Sequence, residues 1–226
     1  MTAERVGIVV AARTSSSRLP GKALLPLGGM PMVVFLLRRL RGLRAGRVVL
    51  ATTDLPADDA LEAAATAEGV SVYRGSQNDV VARFVGAAAS FGFDVVGRVT
   101  ADCPFVDAET VDWCVSQSSA LGRYDLATTK GQFPVGLDVE LYRAESMAAL
   151  DAATTLSADE REHLTLHFYN NREAFAVKSI APPSNWMRSD RAFTVDTAAD
   201  YATAVEIVGN LGCTDFSIPA LLEAAR

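Results

Sequence analysis

The chain is poor in the residues on which many sites are built. It has three cysteines, two histidines and two tryptophans in 226 residues. Cys103, Cys114 and Cys213 are odd in number and not spaced as a metal site or disulfide framework, so they read as reduced thiols of a cytoplasmic protein. No apolar run reaches the roughly 18 residues of a membrane span. The start MTAERVGIVV lacks the basic segment and long apolar stretch of a secretion signal, so no membrane partner is expected. No G-x-G-x-x-G follows the first strand-like run, which disfavours the usual dinucleotide fold. Ser16 stands five residues before Gly21 and Ala23 follows Lys22, which excludes a Walker A loop. The formal net charge of −6 argues against a general nucleic-acid binder.

Half of the residues are hydrophobic and 21% are charged, enough for a sizeable core and too apolar for wholesale disorder. The length suits one domain, or one domain with a small lobe. Charge is unevenly spread. Residues 1–47 hold nine Lys and Arg against Glu4 alone, a balance of +8, and the remainder carries 12 cations against 26 acids, or −14. That asymmetry points to an anionic partner near the N-terminal part of the chain. The five arginines from Arg38 to Arg47 read as a solvated helix face. Arg13, Arg18 and Lys22 lie instead in a Ser-, Pro- and Gly-rich loop, where a rigid scaffold commonly presents binding groups.

Short β-branched runs alternate with helical stretches. Strands are expected at Val6–Ala11, Arg47–Ala51, around Val72 and Tyr73, and at Val95–Val99. Helices are expected at Met32–Leu43, at Asp58–Glu68 stopped by Gly69, and from a cap at Asn78 or Asp79 to Phe91, with Asp107 capping another. The alternation predicts an α/β fold with an open, mostly parallel sheet and helices on both faces. After Leu121 the rhythm changes. Strands at Leu126–Thr129, Leu137–Tyr142, Ala174–Ile180 and Phe193–Val195 mix with helices near 144–154, 157–171, 197–210 and 217–225. The reading is one domain over 1–226 with an inserted lobe around 121–192.

In an open parallel sheet, ligands bind outside the carboxyl ends of the strands. Three polar segments follow strand ends here: the loop at 12–22, TTD at 52–54 and TADCP at 100–104. The first offers backbone amides, hydroxyls and three cations, a set suited to polyphosphate. Asp102 and Asp196 each follow a strand-like run. Each suits either a turn or helix cap or a Mg²⁺ site, since that ion takes oxygen ligands from one or two carboxylates plus phosphate.

AARTSSSRLPGKALLPLGGMPM resembles the opening of the cytidylyltransferases that make CMP-sugars, including the 3-deoxy-manno-octulosonate and acylneuraminate enzymes. RVTADCPFVD, GLDVELYRAESM, EREHLTLHFYNN and FTVDTAADY follow in the right order, and the likeness is nearest to the SpsF-like spore coat polysaccharide biosynthesis branch. It spans about Val6 to Val208. The resemblance implies a Rossmann-like, GT-A-type three-layer α/β sandwich, Mg²⁺ as cofactor, and a homodimer built through the inserted lobe. It implies a cytidylyltransferase that moves CMP from CTP to an acidic sugar or similar small acidic acceptor, releases pyrophosphate and serves glycan precursor synthesis. Arg13, Arg18 and Lys22 match the triphosphate-binding, catalytic positions, with Ala11, Ala12, Ser17 and Thr100 beside the nucleotide. Asp102 and Asp196 match the two metal-binding carboxylates. YRGSQNDVVARF makes Gly75, Ser76, Asp79 and Arg83 nucleotide candidates, and Gly136, Asp138, Glu140, Glu162 and His163 resemble acceptor-side motifs.

Each of these also has a plainer reading. Asp79 suits a helix cap with Arg83 as its i+4 partner, Gly75 and Gly136 suit turns, and His163 suits a half-buried helix position beside an exposed Glu162. Asp138 and Glu140 alternate on a strand and share one face, which suits solvent equally well. The usual V-D-T-P-E-D is V-D-T-A-A-D here, with Ala198 and Ala199 replacing Pro and Glu while Asp196 is kept. Two other functions stay open: a GT-A glycosyltransferase using a nucleotide-sugar, disfavoured by the lack of D-x-D after Asp102, and a non-catalytic nucleotide-binding protein. The acceptor is open among a nonulosonic acid, an octulosonic acid, another sugar and a small phosphonate. Lys178, Arg188 and Arg191 are further candidates to meet an acidic acceptor.

Overall fold

A computed structural model describes residues 4–153, 155–186 and 189–225. β1 (Val6–Ala11), β4 (Arg47–Thr53), β5 (Ser71–Gly75) and β6 (Val95–Thr100) are the parallel half of a seven-stranded sheet. β7 (Leu126–Thr128), β8 (Glu140–Arg143) and β9 (Val177–Ser179) complete it in the order β5-β4-β1-β6-β8-β7-β9. β8 is antiparallel to both β6 and β7, while β7 and β9 are parallel, so the sheet is α/β and mostly parallel as the alternation implied. The 121–192 segment thus contributes three strands to the common sheet. β2 (Pro26–Leu27) and β3 (Met30–Pro31) form a small separate hairpin.

The strands read as continuous apolar runs because both faces are covered. Ile8, Val10, Leu50, Val95 and Val99 pack under α1 (Met32–Arg39), α2 (Asp59–Ala67) and α4 (Ala108–Ala120). Val9, Val49, Ala51 and Val96 pack under α3 (Val80–Phe91), α5 (Ala144–Ala153) and α7 (Leu166–Asn170). A third cluster joins Met32, Phe35 and Phe105 to Phe193 and Val195, closed by α8 (Ala198–Leu211) and α9 (Ile218–Ala224). Among the described residues, no helix is long and apolar enough to cross a membrane.

Several boundaries differ from expectation. The stretch at 157–171 is two short helices, α6 (Ala158–Glu162) and α7, because His163 leaves helical geometry (φ −100°, ψ 81°) and turns Leu164 and Thr165 inward. Leu137–Val139 precede β8 without pairing in it. Phe193–Val195 forms no ladder, yet Phe193 N–H donates to Val135 O (2.7 Å) and Val195 N–H to Asp102 O (2.8 Å). Four of the five arginines from Arg38 to Arg47 are exposed as expected, with Arg38 and Arg41 paired to Glu68 and Arg44 to Asp112. Arg39 is buried. It donates to the carbonyls of Phe105 and Phe216 and lies 4.0 Å over the Phe216 ring, tying α1 to α9.

Gly136 is where this arrangement is most exposed to a single change. Its φ is +87°, and an added Cβ would lie 2.5 Å from the backbone of Phe193 and Thr194. Gly136→Ala combines left-handed strain with overpacking, so we expect a loss of about 2–4 kcal/mol. A thermal melt should then fall by roughly 4–16 °C. An unchanged melting temperature would mean that the 193–195 segment is not held through this contact.

Candidate functional site

The chain runs from β1 outward through β4 to β5, then returns through α3 to β6 on the other side of β1. Neighbouring crossovers therefore diverge at the carboxyl ends of β1 and β6, where an open parallel sheet binds ligands. A crevice of about 760 Å³ opens at that point. It is of small-molecule size.

The 12–22 loop forms one wall. Asp58, 2% exposed, anchors it by accepting from Thr14 N–H (2.8 Å), the Thr14 hydroxyl (2.6 Å) and the Thr53 hydroxyl. Burial alone would raise the Asp58 carboxyl. The bonds from Thr14 and Thr53 outweigh burial and hold it below the usual 3.8. Gly21, at φ 68°, then turns the chain into a short 3₁₀ segment, Lys22–Leu24, that aims Lys22 back at the strand ends.

Lys22 joins the two acids singled out from sequence. Its Nζ lies 3.0 Å from Asp102 Oδ2 and 2.8 Å from Asp196 Oδ1, linking residues 80 and 174 positions away. Arg18 Nη2 is 3.0 Å from the same Asp196 oxygen. Burial by itself would lower the Lys22 ammonium, but the two carboxylates overcome it and hold it above 10.5. Burial likewise pushes the Asp102 carboxyl up, and Lys22 with the Thr100 hydroxyl brings it below its usual value. Asp196 is not the helix cap, because Thr197 caps α8 in a capping box with Asp200.

Ala11, Ala12, Arg13, Ser17, Arg18, Lys22, Arg83, Thr100, Asp102, Glu162, His163 and Asp196 all line the crevice. Arg13 Nη2 reaches across it to Oε1 of Glu162, the last residue of α6, at 2.8 Å. Arg83 is 3% exposed and donates to Ser76 O at 2.7 Å, while its Nε has no partner among the described residues. Six candidates do not line the crevice. Asp79 caps α3 by accepting from Ala82 N–H, and its ion-pair partner is Arg161 at 3.2 Å, not Arg83. Gly75 ends β5 against Tyr73 and Arg83, and Ser76 caps the following turn and holds Arg83. Gly136 packs on Phe193 and Thr194.

Glu140 is 2% exposed, with both carboxylate oxygens bonded, so it is not placed to touch an acceptor. Asp138 is half-buried near it. Burial pushes the Asp138 carboxyl up to about 6, with Lys130 opposing and Glu140 adding to the rise. Lys178 and Arg191 are exposed and away from the crevice, and Arg188 lies outside the described residues. Sequence reasoning missed Arg98 and Gln77, both crevice residues. Arg98 had a legible signal, since it stands two residues before Thr100 on one strand and so shares its face.

A doubly covered, mostly parallel sheet with a cation-rich crevice at its switch point defines a nucleotide-handling α/β protein. The cytidylyltransferase family model matches residues 7–210. The chain belongs to the cytidylyltransferase family and is a nucleotidyltransferase. It is 31% identical over 198 residues to the spore coat polysaccharide biosynthesis protein SpsF of Bacillus subtilis, covering 85% of this chain and 82% of that protein. A cytidylyltransferase structure from Leptospira borgpetersenii superposes with a TM-score of 0.91 at 33% identity, covering 98% and 93% of the two chains. A CMP-2-keto-3-deoxy-manno-octonic acid synthetase complexed with CTP shares the fold, with a TM-score of 0.69 at 18% identity over 91% and 98%.

The Asp58 anchor makes a test independent of ligand. Asp58→Asn should cost about 1–3 kcal/mol at neutral pH, the range for unpairing buried hydrogen-bonding groups. Because the native carboxyl is held below 3.8, its contribution is present above that value and lost as pH falls through the lowered one. Denaturant melts at pH 7 and pH 3 should show the gap between wild type and variant narrowing in acid. A gap that is constant or widens in acid would remove Asp58 as the loop's anchor.

Proposed function

We propose that this protein transfers CMP from CTP to an acidic sugar, or a similar small acidic acceptor, and releases pyrophosphate. The observation that carries the reading is the convergence of Arg18, Lys22, Asp102 and Asp196 at one point of the crevice. The acceptor oxygen attacks the α-phosphorus, the bond to the bridging oxygen breaks, and pyrophosphate departs.

The obstacle is like charge, since two unit charges about 4 Å apart repel by about 4 kcal/mol at an effective dielectric of 20. Arg13, Arg18, Lys22 and Arg83 line the crevice against the triphosphate, alongside the acids Asp102, Glu162 and Asp196. On this reading Arg13 exchanges Glu162 for a phosphate oxygen, and Arg18 and Lys22 steady the departing pyrophosphate. Ala11 and Ala12 at the end of β1, with Ser17 and Thr100, wall the nucleotide. Positioning then supplies much of the rate, because phosphoryl-type transfer asks little covalent chemistry of the protein. Burial pushes the Cys103 thiol up, so no thiolate nucleophile is invoked.

Asp102 and Asp196 fit Mg²⁺: they are two hard oxygen donors held close enough together to share one ammonium, leaving other positions for water and phosphate. Bound there, the ion would polarise the α-phosphate. The three free cysteines suit a reducing cytoplasm. A homodimer through the 121–192 segment is part of the proposal, and Val135, 56% exposed, offers apolar surface there.

Pyrophosphate release should require CTP over the other nucleoside triphosphates, together with Mg²⁺ and an acidic acceptor. Lys22→Ala should lower turnover at least about a hundredfold while the protein stays folded. Asp102→Asn should flatten the dependence on Mg²⁺. Near-normal turnover of Lys22→Ala, or an unaltered Mg²⁺ titration of Asp102→Asn, would overturn these assignments. CTP binding without turnover on any acceptor would favour a binding protein.

A further inference from the structure

The crevice holds an arginine that the triphosphate assignment leaves unused. Arg98 lies on β6 with Thr100, and both side chains face the crevice. Its register partner across the antiparallel pair is Glu140 of β8. Glu140 is enclosed: Oε2 accepts from Arg98 Nη1 at 2.9 Å, and Oε1 accepts from the hydroxyls of Thr165 (2.9 Å) and Tyr169 (2.7 Å), with Lys130 Nζ 3.4 Å away. Burying a carboxylate costs several kcal/mol unless such partners compensate. These donors come from three separate segments of the chain: β6, the residue after Thr129, and α7 with its cap. The crevice end of the knot is Arg98, whose Nε and Nη2 have no hydrogen-bond partner among the described residues.

We infer that Arg98 is the specificity-determining residue for the acceptor, binding an oxyanion on it, and that Glu140 is a positioning residue acting through Arg98. The inference rests on the cytidylyl-transfer reading above. Arg13, Arg18 and Lys22 are tied to crevice acids around the 12–22 loop, which β1 feeds. Arg98 lies on the β8 side of that cluster, in a crevice that Glu162 and His163 also line. Lys130 and Arg98 share the Glu140 carboxylate, and half-buried Asp138 lies near them, so what the knot offers the crevice is the unbonded edge of the Arg98 guanidinium. A guanidinium with one edge fixed and another free matches a planar carboxylate or a phosphonate. A neutral polyol needs no such buried countercharge.

The test uses the full chain. Calorimetry first measures CTP binding with Mg²⁺. Binding to the CTP-loaded protein, and pyrophosphate release, are then measured with 3-deoxy-manno-octulosonate, N-acetylneuraminate, 2-hydroxyethylphosphonate and neutral mannose. The two sugar acids and the phosphonate separate carboxylate from phosphonate recognition. Arg98→Gln should raise Kd or KM for the preferred oxyanion at least about tenfold, as expected for losing a charge-assisted pair. CTP affinity should stay within about twofold. Glu140→Gln should act in the same direction and add little on top of Arg98→Gln in the double variant, the signature of one coupled unit. Tyr169→Phe keeps both charges and should give a smaller rise, which covers the case of Glu140→Gln failing to fold. Unchanged oxyanion affinity in Arg98→Gln, weakened CTP binding instead, no binding of any oxyanion by the CTP-loaded protein, or use of mannose alone would overturn it. A wild-type protein that binds no CTP would sink the underlying reading instead.

Discussion

The Lys22 ammonium between Asp102 and Asp196 is the contact on which the site's geometry depends. It ties three parts of the chain that the fold brings together by different means. The 12–22 loop leaves β1 at the centre of the sheet, and Asp102 follows β6 beside it. Asp196 arrives from the far end of the chain, held by Val195 N–H on the Asp102 carbonyl and, further back, by Phe193 N–H on Val135. Two carboxylates brought this close repel each other unless a cation sits between them. The ammonium fills that role in the protein alone.

Several contacts remote from the crevice maintain that meeting. Asp58 fixes the start of the loop through Thr14, and the absence of a side chain at Gly136 lets the 193–195 strip lie against the 134–137 turn. Arg39 spends its buried guanidinium on the carbonyls of Phe105 and Phe216, fixing α1 against the start of α9 beneath the same apolar cluster that holds Phe193 and Val195. The five arginines after residue 37 are a basic run in sequence. In the fold, four of them are consumed by Glu68, Asp112 and these carbonyls, and Arg47 rests on Phe91.

The first half of the sheet was legible because its strands are β-branched runs closed by turn signals, and α3 and α4 carry side-chain caps. Asp79, Asp107 and Ser217 all cap as their residue types suggest. The second half was less so, for a physical reason. β7, β8 and β9 are three or four residues long and pair across large sequence gaps, so their ends are set by partners and not by local pattern. The helix at 157–171 reads as continuous, but Thr165 is drawn inward by Glu140, a bond invisible to periodicity. At the site, Arg13, Arg18, Lys22, Asp102 and Asp196 were identified from loop position and motif, and they do meet. Asp138, Glu140, Ser76 and Asp79 share those motifs, yet they support the crevice from behind or from its edge. A motif records which residues stay together and does not say which of them face the ligand.

The ion pairs of the crevice bear on how a highly charged substrate enters a protein with net charge −6. Lys22 and Arg18 already face carboxylates, and Arg13 already faces Glu162. These pairs orient their side chains and offset much of the cations' mutual repulsion, while the crevice as a whole keeps more cations than acids. On the proposed reading, Arg13, Arg18 and Lys22 would pass from carboxylate to phosphate oxygens when CTP binds, and Asp102 and Asp196 would then be free to hold a divalent cation. The desolvation of Lys22, Asp102 and Asp196 is largely met during folding, so at that point ligand binding replaces one set of contacts with another in a site arranged beforehand. Arg98 does not fit that swap, because Glu140 is sealed behind the wall and held there by Thr165, Tyr169 and Lys130 as well. One edge of its guanidinium is fixed by an acid that takes no part in the swap, which is what a group reading the second substrate requires.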